Sequence, residues 1–171
     1  MIGPCLRLAA VSLVMISTAV AQDAVGPLRT RLRASDPQAK SAALTEAVAL
    51  GADAAPLVPE IVAILDSEDL SIRHEALVAL GQLGDTAQVA VPAVVKLLQS
   101  REPLLQQQAI VTLREIGPAA KGTVGALEKL LTSPDRSIAV EAAATASALA
   151  DQPSEAATKV LLEALSDGRG S

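Results

Sequence analysis

The chain has no Phe, Trp or Tyr among its 171 residues, and it has a single cysteine, Cys5. The absence of aromatic rings excludes recognition by aromatic stacking, as in single-strand nucleic-acid grooves, quaternary-ammonium cages and many sugar sites. A single cysteine excludes an intramolecular disulfide framework and a zinc–thiolate cluster. Basic residues number 14 against 19 acidic ones. The resulting net charge of -5 makes the chain a poor partner for nucleic acid or for an anionic membrane surface.

Aliphatic residues are abundant instead. Half of the residues are apolar, and with no aromatic side chains they are mainly Leu, Ile, Val and Ala. Such a chain can bury a core, so disorder is not expected over most of its length. A core without rings needs small elements that lie close together, and helices supply them. The length corresponds to about one domain.

The first part of the sequence is typical of a secretory signal peptide. Arg7 lies near the free amino terminus, an apolar run covers residues 8–16, and small residues end in Ala19-Val20-Ala21. This order of a positive region, an apolar region and an A-x-A cleavage site is the signal-peptide pattern. The segment 8–21 is shorter than the roughly 20 residues that a membrane-spanning helix needs. We therefore expect a signal peptide over residues 1–21, a periplasmic or secreted mature protein, and no membrane span after cleavage.

The remaining sequence, residues 22–171, repeats with a period of 33 residues. When this part is aligned with itself at that shift, residues of the same kind coincide in four successive units. The aligned columns include Val25, Val58, Val91 and Val124; Leu28, Ile61, Val94 and Leu127; Leu32, Leu65, Leu98 and Leu131; and Ala43, Ala76, Ala109 and Ala142. Gly51, Gly84 and Gly117 end three of the units, and the last unit has one extra residue near Pro153. The sequence therefore predicts a repeat domain of about four and a half units over residues 22–171.

Each unit contains two segments with the apolar spacing of a helix. Val91, Val94, Val95 and Leu98, for example, form one stripe of an amphipathic helix. Ser, Asp and Pro precede the second helix of a unit, and glycine follows it, as at helix starts and ends. One helical hairpin cannot bury its stripe alone, so neighbouring units must stack. The predicted helices cover residues 25–33, 37–50, 56–66, 70–83, 90–99, 103–116, 123–131, 135–150 and 155–165.

Two stretches identify the kind of repeat. VPAVVKLLQSREPLLQQQAIVTLREIG, residues 91–117, and IRHEALVALGQLG, residues 72–84, resemble HEAT-like repeats of the short bacterial type that also occurs in phycobilisome lyases. The T-P-L-H-x-A segment of ankyrin repeats is absent, and the aromatic residues of tetratricopeptide repeats are missing. The resemblance covers roughly residues 25–165. It implies an all-α fold, a right-handed α-solenoid (an armadillo-like α-α superhelix), and a role as a protein-binding scaffold.

His74 and Glu75 are the one segment with possible redox chemistry. They look like the His-Glu pairs of deoxyhypusine hydroxylase, a HEAT-repeat enzyme whose two irons are held by such pairs on several second helices. This resemblance implies a metal-dependent oxidoreductase as an alternative function, with His74 and Glu75 as iron ligands. In the repeat alignment, however, His74 recurs as Ser41, Gln107 and Val140. One histidine cannot complete two iron sites, so we expect no metal, no cofactor and an ordinary solvated His-Glu pair.

Other catalytic signatures are absent from the sequence. It contains no G-x-S-x-G nucleophile elbow, no P-loop and no G-x-G-x-x-G. Since the chain has a single histidine, a Ser-His-Asp triad could use only His74, and no serine has a context that marks it as the partner. We therefore predict a non-catalytic protein.

Arg29, Arg31 and Arg33 form the only basic cluster, on the first predicted helix and at its end. Two interpretations are open. The arginines could contact a phosphate or an acidic protein, or they could be a polar cap at the open end of the stack. Terminal repeats need solubilising faces, so we favour the cap.

Two second helices carry a mixed polar stripe. A spacing of four residues aligns the first three positions on one helix, and a shift of one repeat adds the other three. The stripe comprises His74, Val78, Gln82, Gln107, Val111 and Glu115. In HEAT-like arrays the second helices line the concave side, where partners usually bind, and a stripe with little charge suits a protein surface. The alternative interpretation is that the stripe is an ordinary solvent-exposed surface of a purely structural spacer.

The sequence thus predicts an exported, non-catalytic scaffold that binds a protein partner of unknown identity on its concave face, and it predicts no binding of nucleic acid. The last predicted helix, residues 155–165, has one side that no further repeat covers. A homodimer through this helix is a second expectation.

Overall fold

A computed structural model of the protein describes residues 25–167, and in that range the chain consists of helices and short connections, without strands. The predicted signal peptide, residues 1–21, lies outside the described residues. The α-helices are α1 (residues 25–32), α2 (Pro37–Leu50), α3 (Val58–Ile64), α4 (Leu70–Gln82), α5 (Val91–Leu97), α6 (Pro103–Ile116), α7 (Val124–Glu128), α8 (Arg136–Leu149) and α9 (Glu155–Asp167).

The helices form four units of two helices each, followed by α9. Each second helix packs on the second helix of the next unit, so that α2 contacts α4, α4 contacts α6 and α6 contacts α8. Within a unit the first helix packs on the second, as α3 does on α4 and α5 on α6. This arrangement is an all-α solenoid, as the sequence predicted.

One continuous core runs along the array. Its largest fully buried side chains are all aliphatic and include Leu57, Leu77, Leu105, Ile110 and Leu127. The alanines of the second-helix column, Ala43, Ala76, Ala109 and Ala142, are each completely buried. Because alanine is small, these positions let neighbouring second helices approach closely, which compensates for the absence of aromatic side chains.

Capping residues define where the second helices start. Asp36, Asp69 and Asp135 each accept hydrogen bonds from two backbone N–H groups of the first turn, with N···O distances between 2.9 and 3.4 Å. In the third unit Glu102 takes this place without a side-chain cap, and Pro103 begins α6. Aspartate before the helix and proline at its first position are among the signals from which the sequence predicted these helix starts.

The connections between units differ from the prediction. Each second helix of the first three units is followed by a seven-residue 3-10 helix, where the sequence predicted a break and then an early start of the next α-helix. The 3-10 helices are Gly51–Leu57, Gly84–Ala90 and Gly117–Thr123. The first helices of units two to four are correspondingly shorter than predicted, and the last of them passes into a further 3-10 turn, Lys129–Thr132.

Glycine and buried alanine explain these connections. Gly51, Gly84 and Gly117 have positive φ angles of 56°, 55° and 76°, a region that other residues rarely adopt. Within the 3-10 helices, Ala54, Ala87 and Ala120 are completely buried. A tight turn of small residues can therefore pack against the core while it reverses the chain.

One continuous helical stretch within residues 25–167 is, by length and composition alone, long and apolar enough to cross a membrane. It is Pro37–Ile64, which joins α2, the first 3-10 helix and α3. Gly51 ends α2 in the middle of it, and its apolar side chains Leu44, Leu57 and Ile61 lie in the core of the array. Part of the apolar surface of this stretch is therefore buried within the solenoid.

Candidate functional site: the face of the second helices

The six residues of the predicted stripe all lie on the second helices α4 and α6 and reach solvent. His74, Val78, Gln107 and Val111 are half-buried, while Gln82 and Glu115 are exposed. Helical periodicity explains this pattern, since intervening residues such as Ala76, Leu77, Ala109 and Ile110 are buried in the core. The structure thus places the six residues on a common accessible face of two neighbouring helices.

Two of these side chains already have contacts within the chain. Gln107 Nε2 donates a hydrogen bond to Ser137 Oγ at 3.4 Å, which joins α6 to the first turn of α8. The carboxylate of Glu115 lies over Gly81, where a Cβ atom would stand only 1.9 Å from Oε2. Any side chain larger than glycine at residue 81 would therefore displace Glu115.

An apolar groove lies between the amino-terminal ends of α4 and α6. We call it the leucine groove. Its lining includes Leu70, His74 and Glu75 from α4, and Glu102, Pro103 and Leu104 from the start of α6. Its volume is about 480 Å³, and Leu70 and Leu104 remain 46% and 74% exposed. The two exposed leucines beside the groove provide apolar surface that another molecule can cover.

A second, more polar groove lies between α2 and α4. We call it the α2–α4 groove, and its lining includes Leu44, Thr45 and Val48 from α2, and Glu75, Val78 and Gln82 from α4. Its volume is about 330 Å³. Glu75 lines both grooves, so it stands on the ridge between them. Val78 and Gln82 of the predicted stripe form the wall of this groove.

Leu70 and Leu104 were missed by the sequence analysis, although the repeat alignment contains a signal for them. Position 70 is occupied by Pro37, Pro103 and Arg136 in the other units, and position 104 by polar residues in all of them. A leucine at a position that is proline or polar elsewhere in the array is expected to be exposed rather than buried.

The side chains around His74 do not fit a pair of iron ions. The equivalents of His74 on the other second helices are Ser41, Gln107 and Val140, and no further histidine exists in the chain. Within residues 25–167, no group of three or more His, Cys, Asp or Glu side chains is placed to hold a metal ion. His74 and Glu75 are instead two lining residues of the leucine groove.

The three arginines at the amino-terminal end each pair with a carboxylate of the chain. Arg29 Nε and Arg33 Nη2 lie 2.9 and 2.6 Å from Glu60 Oε1, and Arg29 also donates to the carbonyl oxygen of Pro56 at 2.8 Å. Glu60 is buried on α3, so these contacts tie α1 to the second unit. The arrangement fits the polar cap that the sequence analysis favoured.

Arg31 makes a two-pronged contact with Glu46 on α2. Its Nη1 donates to Oε1 at 2.7 Å, and its Nη2 donates to Oε2. The hydrogen bond from Arg31 lowers the pKa of Glu46 below its ordinary value, and the same bond raises the pKa of Arg31. The positive charge of this arginine is thus matched by a partner within the chain.

The last helix, α9, packs on α8 and turns an apolar edge to solvent. Ala157 is completely buried against the array, while Leu162 and Leu165 are 61% and 64% exposed. No described residue lies beyond α9 to cover them. This is the side through which the sequence predicts a homodimer, and that prediction stands untested.

The sequence pattern of HEAT repeats matches residues 58–148, from the first residue of α3 to near the end of α8. Two crystal structures of engineered proteins have similar folds. The first has a TM-score of 0.59 at 29% identity and covers 82% of this chain and 67% of that one. The second has a TM-score of 0.58 at 28% identity and covers 82% of this chain, which spans 41% of that protein.

No curated protein matches the chain. The resemblance of the His74-Glu75 pair to deoxyhypusine hydroxylase is not shown by any comparison. The match to HEAT repeats covers more than half of the sequence and coincides with the helical pairs seen in the structure. This chain belongs to the HEAT-repeat family.

Proposed function

We propose that the protein is an exported, non-catalytic scaffold that binds a protein partner on the face of its second helices. The observation that carries this proposal is the accessible stripe on α4 and α6, whose six residues all reach solvent above the core. HEAT-like arrays mostly serve as binding scaffolds, and a repeat array offers an extended surface rather than an enclosed active site.

The chemistry of the face suits a protein surface. It combines aliphatic side chains such as Val78 and Val111 with amides such as Gln82 and Gln107, which can both donate and accept hydrogen bonds. The face also contains two grooves into which side chains of a partner can insert. Mixed apolar and polar patches of this kind are typical of interfaces that form and dissociate.

The proposal is tested by cross-linking in intact cells of the native host, followed by identification of the proteins that co-purify. The test variant replaces Gln82, Gln107 and Glu115 by alanine. The matched control replaces two glutamines and one glutamate elsewhere on the surface, Gln88, Gln99 and Glu68, all of which are exposed and lie outside the second helices.

We expect a discrete partner that is retained by the control variant and lost by the test variant. A partner that is equally well retained by both variants would contradict binding on this face. Finding no partner with either protein would favour a purely structural spacer. Iron in stoichiometric amounts in the purified protein would instead favour the alternative metal-dependent oxidoreductase.

Export is tested on the same material. We expect the protein that is recovered from the periplasm or the medium to begin at Gln22, because cleavage should follow Ala21. Mass spectrometry of the intact protein measures this directly. Recovery of the chain in the cytoplasm with residues 1–21 attached would contradict export.

A further inference from the structure

We infer that Glu75 receives a basic side chain of the partner, while apolar side chains on either side of that base enter the leucine groove and the α2–α4 groove. This inference rests on the proposed function and specifies the chemistry of the partner. Its first support is position: Glu75 lines both grooves and is half-buried between them.

The second support is the lack of a partner for this carboxylate. Within residues 25–167, the side chain of Glu75 has no hydrogen bond and no ion pair. Its equivalent in the fourth unit is Glu141, whose Oε1 accepts from Arg114 Nη1 at 2.5 Å. The array therefore contains one carboxylate at this position that is neutralised and one that is not.

The repeat explains the difference. Arg114 lies 27 residues before Glu141, and the residue 27 positions before Glu75 is Val48. Val48 lines the α2–α4 groove beside Glu75. Beside Glu141 the guanidinium of Arg114 fills this position, whereas beside Glu75 the equivalent residue is Val48 and the groove is open. A basic group from another molecule can therefore bind there.

Other grooves of the array support this contrast. The groove at the α1 end is lined by Glu60 and Asp66 together with Arg33 and Lys40. The groove between α1 and α2 contains the Arg31–Glu46 pair, and the one beside α9 contains Arg136 with Glu163. The linings of the leucine groove and the α2–α4 groove contain the carboxylates Glu75 and Glu102 but no lysine or arginine, so these two grooves carry uncompensated negative charge.

The geometry limits the sequence that fits. In an extended peptide, alternate side chains point the same way and are about 7 Å apart. A segment of the form apolar-x-Arg-x-apolar therefore presents its arginine and both apolar side chains on one face. Because Glu75 lines both grooves, this order can place the guanidinium on Glu75 and one apolar side chain in the groove on either side. Arginine suits the site because it binds a carboxylate with two hydrogen bonds.

The test is a titration of the ¹⁵N-labelled protein with three capped peptides, monitored by NMR. The protein is purified in the mature form that the cell produces. The first peptide is acetyl-Gly-Leu-Ser-Arg-Ser-Leu-Gly-amide. The second replaces the arginine by citrulline, its neutral isostere, and the third replaces both leucines by serine. We expect the first peptide to shift the amide signals of Leu70, Glu75 and Leu104. The citrulline and serine peptides should have dissociation constants at least about tenfold higher than the first peptide.

Two variants test the receptor itself. Glu75→Gln removes the charge, and Val48→Arg supplies the guanidinium from within the chain, as Arg114 does for Glu141. We expect each substitution to weaken binding of the arginine peptide about tenfold. Glu68→Gln removes one negative charge outside the grooves, and Val89→Arg adds one positive charge at an exposed connecting residue. These two controls should bind as the unmodified protein does.

Equal binding of the arginine and citrulline peptides would overturn the inference, as would unchanged binding by Glu75→Gln and Val48→Arg, or no shift at all with the arginine peptide. Circular dichroism of each variant reports whether it is folded. A partner that is captured in cells and released by the triple alanine variant, but not by Glu75→Gln, would overturn the inference and leave the scaffold proposal intact. Failure to capture any partner contradicts the scaffold, whereas the titration still reports on Glu75.

Discussion

At the scale of the residue, the repeat provides internal controls, because equivalent positions hold the same residue in different surroundings. Thr112 and Thr145 are one period of 33 residues apart, and both are completely buried. Thr112 Oγ1 donates to the carbonyl oxygen of Leu77 at 2.9 Å and so connects α6 to α4. Thr145 Oγ1 is buried without a hydrogen-bond partner among the described residues. A threonine hydroxyl at this position of the repeat therefore stabilises the third unit and destabilises the fourth.

Replacing each threonine by valine, which has nearly the same shape, separates these two effects. Thr112→Val should lower the free energy of unfolding by about 1 kcal/mol, because it removes a buried hydrogen bond. Thr145→Val should leave it unchanged or raise it, because it removes an unsatisfied buried polar group. Urea unfolding followed by far-UV circular dichroism measures both, since the chain has no aromatic residue for fluorescence. Equal losses in the two variants would contradict this assignment.

The Arg31–Glu46 contact makes a prediction about pH. The hydrogen bond from Arg31 lowers the pKa of Glu46 below its ordinary value. A carboxyl whose pKa is lower in the folded state stabilises the fold above its unfolded pKa, and the contribution disappears as the pH falls through the folded pKa. NMR titration of the Glu46 carboxyl should show the lowered pKa, and Arg31→Gln should return it towards the ordinary value. An unchanged pKa in Arg31→Gln would contradict the pairing.

At the scale of the element, glycine determines how the units connect. Gly51 follows α2 at a φ of 56°, and a Cβ atom there would meet nothing within 4 Å. Gly51→Ala should therefore lower the free energy of unfolding by about 1–2 kcal/mol through backbone strain alone.

Gly125 lies inside α7, also with free space around a Cβ atom and without a positive φ. Gly125→Ala should stabilise by about 0.5–1 kcal/mol, because alanine favours the helix. Thermal unfolding of both variants gives the two opposite shifts, and a loss in both would contradict the argument.

Much of the element structure was predictable from the sequence. The bounds of α2 and α6 agree with the prediction, because proline begins each helix and glycine follows it. The 3-10 helices were not predicted, because apolar spacing over so few residues does not distinguish a 3-10 turn from an α-helical one. The fourth unit has Ala150 where the others have glycine, and Ala150 adopts an extended conformation instead.

The candidate site was predictable only in part. Helical spacing and the repeat were sufficient to place the stripe from His74 to Glu115 on one accessible face. The leucine groove and the isolation of Glu75 depend on which side chains of α2, α4 and α6 meet when the helices stack. A pairing such as Arg114 with Glu141 joins residues on different helices, and the spacing within one helix does not contain that information.

At the scale of the whole molecule, the array is nearly one-dimensional, because each unit contacts only its neighbours. The helices α4 and α6 have a packed second helix on either side, whereas the last helix α9 packs only on α8 and on the 3-10 turn Lys129–Thr132 among the larger contacts. At the other end, the contacts of Arg29 and Arg33 with Glu60 hold α1 to the second unit. Stability should therefore be greatest in the middle and least at α9.

Hydrogen exchange measures this gradient. We expect the amides of α4 and α6 to exchange most slowly and those of α9 fastest, since local opening at the end breaks fewer contacts. Ala157 is completely buried where α9 meets the array, so Ala157→Asp should place an unpaired charge there and loosen α9. Exchange should become at least about tenfold faster in α9 and stay unchanged in α4, because a nearest-neighbour array confines the damage to its end. Equal acceleration in α4 and α9 would show that the whole array opens as a single cooperative unit.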